Sequence, residues 1–578
     1  MPTLRILYDV DGWAYHHRAR ALQKHAPADF DVSLGRLGRF DRPDVIAAAL
    51  GAHEPDLVFV LSTPAILPVR RALDERGGRA KLIGSWNAGW PRQIPLFFDA
   101  YRQADAMVIN NATAWRRVGR LPRTYLLPNG VDLDVFRVRT PIDARAPRVL
   151  WTGSELGRRR KGYDRLVVPL QRCLREHGID CELLLVDSYG DDKRAPEAMA
   201  AWYDSGTVLV CASAVEGTPN PALEAAACGC TVVSTPVGNM PELIRDGENG
   251  YLVERTVAAL VEGVRAASTD HRRLAAALQR DIRQWGWERR AATFFDAFRE
   301  VLAGRQPAGG PTLDLTDRVT AFVTTVGAPS YLACRDLLRL QDCAVRLEII
   351  DRVAPMSAAF QRMLDSCETP FFVEVDEDML LHPHALRTLY QRISTADARV
   401  AVVAGDLWDA HLDRRLQGVK IYRHEIARRY PFSDAQSFEK LQARQMRADG
   451  YVLEGGVRGD DRDGDGILGL HGTHWTGRSI YERYATLESR RQRQPRALSW
   501  FDPYPGIFLE RALEEPTELN VAALMGVLSA ALLPHDGPGS AKDFRVAETP
   551  LGFAEAQRFF EGLRPRRDDR GAGGGGSR

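Results

Sequence analysis

Three absences set the bounds. The chain has no excess charge of either sign, since 77 Lys and Arg stand against 76 Asp and Glu for a formal net charge of +1. No global field therefore draws it to nucleic acid. No apolar run nears the roughly 18 residues that a membrane-spanning helix requires, and the apolar stretch 521–533 reads as a packed helix. The first residues lack a cleavable-signal layout, so the expectation is a cytoplasmic protein with no transmembrane segment, in peripheral contact with the inner membrane where its acceptor requires it. Cysteine is sparse, with eight residues, no Cys-x-x-Cys pair and none after Cys367. Neither a disulfide framework nor a zinc knuckle is expected.

What remains is an ordinary globular composition, 45% apolar and 26% charged over 578 residues, enough for several domains with their own cores. Short apolar runs at 4–10, 57–61, 81–84 and 106–109 alternate with helical or turn-rich segments. A second series follows at 148–152, 181–186, 208–211 and 231–234. This rhythm predicts two α/β domains with parallel sheets, closed by an amphipathic helix running to Leu302. Glycine and proline at 304–311 mark a linker, after which runs at 319–326, 347–350 and 370–375 open a third α/β unit. The predicted boundaries are 1–138, 139–303, a linker at 304–317, a domain at 318–563 and a disordered tail at 564–578.

The first chemical constellation follows the strand 208–211. Glu216, Gly217, Thr218 and Asn220 lead into a helix that begins near Pro221 and carries Glu224. Backbone N–H groups and the helix dipole offer a seat for a diphosphate, while carboxylates at either end suit sugar and ribose hydroxyls. The Glu-x7-Glu spacing of Glu216 and Glu224, the segment 229–238, Lys161 with Gly162, the run 127–132 and the run 241–252 resemble the retaining GT-B glycosyltransferases. That resemblance implies that Glu216 lies by the donor sugar, Glu224 holds the ribose and Lys161 neutralises the diphosphate. Ser154 stands where the family has an arginine, so Arg158, with Arg159 and Arg160 beside it, is the phosphate candidate. The family's histidine after the fourth strand is replaced by the stretch 85–91, and His16 and His17 read as packed or surface residues.

The second constellation is Asp376 and Asp378, one residue apart where the strand 370–375 ends. Alternate residues of an extended chain share a side, and hard oxygen ligands suit Mn2+ or Mg2+ bridging a nucleotide diphosphate. Glu439 ahead of a helix, with Gly450 and Tyr451 after it, resembles the Glu-Asp and Gly-Tyr pattern of inverting GT-A glycosyltransferases. The resemblance makes Glu439 the general base, Asp434 the alternative, Asp376 a donor and metal residue, and His471 or His474 the further metal ligand. Asp461, Asp463 and Asp465 imitate the start of a calcium loop, but its twelfth position is Gly472, so they read as an acidic loop.

These readings converge on an α/β protein, a GT-B pair of Rossmann-like domains followed by a GT-A domain. The expected activity is a bifunctional transfer of two sugars from nucleotide-sugar donors to a glycan or glycolipid acceptor of the surface polysaccharide or lipopolysaccharide type. The GT-B half would retain configuration without metal, and the GT-A half would invert it with metal. The competing expectations are a single working half, the GT-A one, and a non-catalytic carbohydrate-binding scaffold.

Overall fold

The computed structural model describes residues 1–38, 42–87, 94–186, 194–304, 312–434, 438–459, 466–493, 504–514, 516–532 and 552–562. The residues of the linker from 305 to 311, the acidic stretch 460–465, residues 88–91 of the histidine-replacing stretch and the tail from 564 lie outside the described residues. The chain divides into two compact units, Met1–Gly309 and the residues from Gly310 on. Among the described residues no helix is long and apolar enough to cross a membrane.

The first unit contains two parallel sheets. Strands β1 (Thr3–Tyr8), β2 (Asp31–Arg36), β3 (Leu57–Val60), β4 (Lys81–Trp86), β5 (Ala106–Ile109) and β6 (Thr124–Leu126) form one, in the order β2-β1-β3-β4-β5-β6. Strands β7 (Arg148–Ser154), β8 (Asp180–Val186), β9 (Val208–Cys211), β10 (Thr231–Ser234) and β11 (Gly250–Leu252) form the other, in the order β11-β10-β9-β7-β8. β3, β5, β9 and β10 are buried along their whole length, as strands covered by helices on both faces must be. This is the tandem Rossmann-like architecture of the GT-B fold. β2 and β6 were not anticipated: β2 is polar and alternates in burial, so it shows no continuous apolar run.

The helix Trp287–Leu302 closes the first unit in an unexpected place. Its Phe294, Phe295 and Phe298 join Leu4, Ile6 and Phe59 of the first sheet in one core. The chain therefore returns from the second Rossmann-like domain to the first. Each of these buried phenylalanines contributes on the order of 1.5–3 kcal/mol by leaving water.

In the second unit the strands β12 (Leu313–Asp314), β13 (Val319–Thr325), β14 (Cys343–Ala344), β15 (Arg346–Asp351), β16 (Phe371–Asp376), β17 (Met379–Leu381), β18 (Val400–Asp409), β19 (Arg414–Arg423), β20 (Val452–Val457) and β21 (Gly469–His471) follow. β12 and β14 pair alone; the rest form a mixed sheet in the order β15-β13-β16-β19-β18-β21-β17, with β20 beside β18. β15, β13 and β16 are parallel, as their runs predicted, and the antiparallel β18–β19 hairpin was not read. The helices Gly477–Arg493, Tyr504–Glu514 and Glu518–Leu532 cluster around Tyr481, Tyr484, Phe508 and Ala523. The stretch 521–533 is thus a packed helix over nearly its whole length. Tyr504 opens the second of these helices, whose second position, Pro505, is compatible with a first turn.

Candidate functional sites

In the first unit the loop after β9 rises to the helix Asn220–Ala227. Four alanines favour that helix, Pro221 sits in its first turn, and Gly229 with φ 93° ends it. Pro219 at the cap supplies no side-chain hydrogen bond, so the positive end of the helix is left to the loop and to a ligand. Within the loop, Glu216 is buried and accepts hydrogen bonds from Lys161 Nζ at 2.9 Å and Ser213 Oγ at 2.8 Å. Arg160 Nη1 stands 4.0 Å from its other oxygen. Burial alone would raise the Glu216 pKa, but Lys161 and Arg160 outweigh it and hold the carboxyl below its ordinary value.

Glu224 behaves in the opposite way. Burial raises it to about 7, only partly countered by the Tyr203 hydroxyl that donates to it at 3.0 Å. Thr218 Oγ1 accepts from Asn239 Nδ2 at 3.0 Å, and Asn220 Oδ1 accepts from Asn129 Nδ2 at 3.4 Å. Gly217 is where the two Rossmann-like domains meet: a Cβ there would lie 2.5 Å from Asn110 Nδ2 and 2.7 Å from Asn87 O. Asn87 is in turn held by Arg18, whose Nη1 donates to Asn87 Oδ1 at 2.8 Å and Ser85 Oγ at 3.0 Å. Arg18 is 1% exposed and lies over Phe59 and Phe294, and burial lowers its pKa to about 9.

The second unit builds its site from strand register. Thr324 on β13 is the Cα partner of Asp376 on β16, and its Oγ1 donates to Asp376 Oδ1 at 2.6 Å. Glu377 turns the other way and straps the loop after β13, accepting from Thr325 Oγ1 at 2.6 Å, Ala328 N at 2.8 Å and Val326 N at 3.0 Å. His471 on β21 pairs with Met379 on one side and Asp409 on the other. That register sets Nε2 3.6 Å from Asp378 Oδ2 and lets Nδ1 hydrogen-bond Asp409 Oδ2 at 3.0 Å. Burial would raise Asp409, yet the hydrogen bond and charge of His471 bring it down to about 2. Asp378 Oδ1 is buried with no hydrogen-bond partner.

Two cavities meet at this edge. One, of about 340 Å³, is lined by Thr324, Asp376, Asp378, His471 and His474. The other, of about 650 Å³, is lined by Glu374, Asp376, Lys420, Glu439 and His471. Glu374 and Lys420 are Cα partners across β16 and β19. Lys420 makes an ion pair with Glu439 and lies 3.5 Å from Glu374. Burial pushes Glu374 up to about 8, while Lys420, although buried, is held well above its usual value by Glu439 and Glu374.

Residues 146–270 match the family described as Glycosyl transferases group 1. Alpha-maltose-1-phosphate synthase from Mycolicibacterium smegmatis is 34% identical over 312 residues, covering 44% of this chain and 77% of that protein. The chain belongs to the group 1 glycosyltransferases. A D-inositol 3-phosphate glycosyltransferase from Streptomyces bingchenggensis is 32% identical over 112 residues, 19% of this chain and 25% of that one. Another from Thermomonospora curvata is 27% identical over 241 residues, 32% of this chain and 54% of that one. The chain thus spans between a quarter and about half of these two relatives. Sucrose-phosphate synthase from Thermosynechococcus elongatus superposes with a TM-score of 0.43 at 16% identity, over 53% of this chain and all of that one. At that level the likeness adds nothing to the strand order above.

The family match lies wholly inside the first unit of this group 1 glycosyltransferase, around Lys161, Glu216 and Glu224, which the structure gathers at one loop and one helix. Arg158 is half-buried and turned the other way, pairing with Asp164 at 2.6 Å and Glu155 at 3.0 Å, while Arg160 faces Glu216. Ser154 Oγ accepts from Gly157 N at 3.1 Å and caps the turn after β7. His16 and His17 are tied to the backbone of Gly12. In the second unit Asp376, Asp378, His471 and His474 share a cavity, with Thr473 and His474 joined by a 2.8 Å hydrogen bond. Asp434 is exposed, accepts from Ser357 Oγ at 3.4 Å and lines neither cavity. Asp409, Lys420 and Glu374 enter from strands whose pairing no local motif announces.

Proposed function

We propose that the chain carries two donor sites of opposite chemistry and transfers two sugars, one from each, to a growing glycan or glycolipid of the surface polysaccharide or lipopolysaccharide type. The observation that carries this reading is the contrast in charge. Cations surround a carboxylate at the uncapped helix in the first unit, whereas carboxylates and a histidine line the strand edge in the second.

In the first unit Lys161 and Arg160 would face the diphosphate and stabilise the charge it gains as the sugar–oxygen bond breaks. Glu216, kept ionised by the same cations, would hold the donor sugar, and Glu224 would accept from the ribose. The family's chemistry there is retaining and metal-free. A donor would lie between Gly217 and the ends of β4 and β5, where Asn87 and Asn110 already meet the loop.

In the second unit the residues present fit a divalent cation. Among the described residues no three acidic, histidine or cysteine groups form a complete cage, but Mn2+ and Mg2+ in nucleotide sites keep several waters and phosphate oxygens and need only one or two protein ligands. Asp378, with its partnerless buried oxygen, and His471 would supply those ligands, and Asp376 would stand beside them. The cation, when bound, supplies positive charge to the leaving diphosphate. Glu439 would take the proton from the acceptor hydroxyl as that oxygen attacks the anomeric carbon and the bond to the diphosphate breaks, with inversion. Its place in the cavity that reaches Asp376 and His471 favours it over Asp434.

The test is nucleotide release from a panel of nucleotide sugars, with and without manganese, by the wild type, Glu216→Ala and Asp378→Ala. Two activities, one lost with each variant and only the second lost with chelator, support the reading. A single variant that abolishes all turnover removes the two-site account.

A further inference from the structure

The two cavities of the second unit share a short wall. Met356, Asp376, His471, Arg483 and Leu487 border both of them. Arg483 brings to that wall a positive charge that no pH near neutrality removes. It comes from the helix Gly477–Arg493, whose Ser479, Glu482, Arg483, Thr486 and Leu487 recur every three or four residues and so present one face to the smaller cavity. The opposite face is fixed by packing. Tyr481 and Tyr484 are buried there, and a Cβ on Gly526 of the helix Glu518–Leu532 would lie 2.4 Å from Tyr481 O, so the two helices approach more closely than any residue with a side chain at 526 would permit.

The guanidinium itself is held by a ring. It lies over Trp475, 4.3 Å from the ring centroid, and among the described residues no carboxylate pairs with it. Trp475 is seated in turn on Gly472, where φ is 68° and a Cβ would lie 2.6 Å from the indole. Gly472 N donates to Asp378 O at 3.1 Å. The indole also meets His471 edge-on, with centroids 5.0 Å apart and planes at 87°. One chain of contacts thus fixes the guanidinium relative to the edge that carries Asp376 and Asp378. A cation anchored on an aromatic face keeps its N–H fork for a ligand, although both aspartates border the same cavity.

We propose that Arg483 is a catalytic residue of the second site, its N–H fork taking the phosphate oxygen from which the sugar departs. This rests on reading the second unit as a transferase. A donor diphosphate beside Asp376 and Asp378 in the smaller cavity and an acceptor beside Glu439 in the larger would meet at the shared wall, where Arg483 stands. The acceptor oxygen bonds to the anomeric carbon and gives its proton to Glu439, while the electron pair of the breaking carbon–oxygen bond passes to the diphosphate. Arg483 donates hydrogen bonds to that diphosphate and transfers no proton. A guanidinium fork meets two phosphate oxygens at once, which a lysine in the same place does not.

The test is the rate at which phenylglyoxal modifies Arg483 in the full chain, read by peptide mass spectrometry against Arg399, whose side chain is 74% accessible. Inorganic pyrophosphate with manganese should slow Arg483 by about tenfold and leave Arg399 unchanged, whereas manganese alone should not protect. In parallel, manganese-dependent nucleotide release is followed in Arg483→Gln and Arg483→Lys. In the first, kcat should fall by about 10²-fold with KM little moved, and in the second it should recover in part. Unchanged reactivity of Arg483 with pyrophosphate and manganese, or an unchanged kcat in Arg483→Gln, overturns the proposal. Protection without any manganese-dependent release removes the transferase reading and the catalytic role with it. Release without protection keeps that reading and overturns the proposal.

Discussion

The two units differ in the charge they gather, and on the reading proposed above they would meet one electrostatic problem, a diphosphate that departs with growing negative charge, with opposite materials. The first uses what a helix and a basic loop provide: an uncapped N-terminus, Lys161 and Arg160, with Glu216 locked among them. The second ends its central strand in Asp376 and Asp378, residues that would repel a diphosphate without an intervening cation. The first arrangement is complete in the protein alone. The second leaves Asp378 Oδ1 buried without a partner, which is costly unless something binds there. On that reading, positive charge built into the first unit would dispense with a metal, and negative charge built into the second would call for one.

That contrast can be broken most sharply at Glu216. Glu216→Gln leaves Lys161 and Arg160 without their carboxylate, and donor turnover by the first unit should fall by about 10²- to 10³-fold. Turnover by the second unit should be unchanged; steady-state release of the two nucleotides checks both. Asp409→Asn probes the other side. Asp409 accepts from His411 N and Leu412 N as well as from His471, so it orients the ring with Nε2 toward Asp378. Manganese affinity measured by calorimetry should weaken by about 10- to 100-fold while nucleotide release by the first unit persists.

A smaller effect separates the arginines. Arg160→Ala should cost the first unit about tenfold in kcat/KM, whereas Arg158→Ala, which removes exposed pairs with Asp164 and Glu155, should leave kinetics near wild type. The smallest is a pH effect. Glu224 is raised from an ordinary 4.5 to about 7, so the fold favours its protonated form and this group removes stability as pH rises between those values. With Glu224 accepting from the ribose as proposed, donor binding would need the ionised form, so donor affinity of the first unit should improve between about pH 6 and pH 8, and Glu224→Gln should flatten that dependence.

Much of the first unit was legible because its information is local. Buried parallel strands such as β9 and β10 are unbroken apolar runs, and the spacing of Glu216 and Glu224 spans one loop and one turn of helix. The return of Phe294 and Phe298 to the first sheet was not legible, since an amphipathic helix does not declare which surface it covers. Nor was it legible that Arg160 faces Glu216 while Arg158 pairs with Asp164 and Glu155, because two residues along a tight turn change the direction of a side chain. In the second unit Asp376 and Asp378 could be read from the strand that precedes them. Asp409, Glu374 and Lys420 could not, because their places at the site depend on the register of β16, β18, β19 and β21, which pair residues up to 92 positions apart.

The most direct test of two chemically distinct donor sites is the stoichiometry of nucleoside diphosphate binding, measured by calorimetry with UDP, GDP and ADP on the intact chain, first with manganese and then with EDTA. The account predicts two binding events with manganese, one of which disappears with EDTA and in Asp378→Asn, and one that persists in both. A single event that is indifferent to EDTA, or the loss of all binding on chelation, would contradict it.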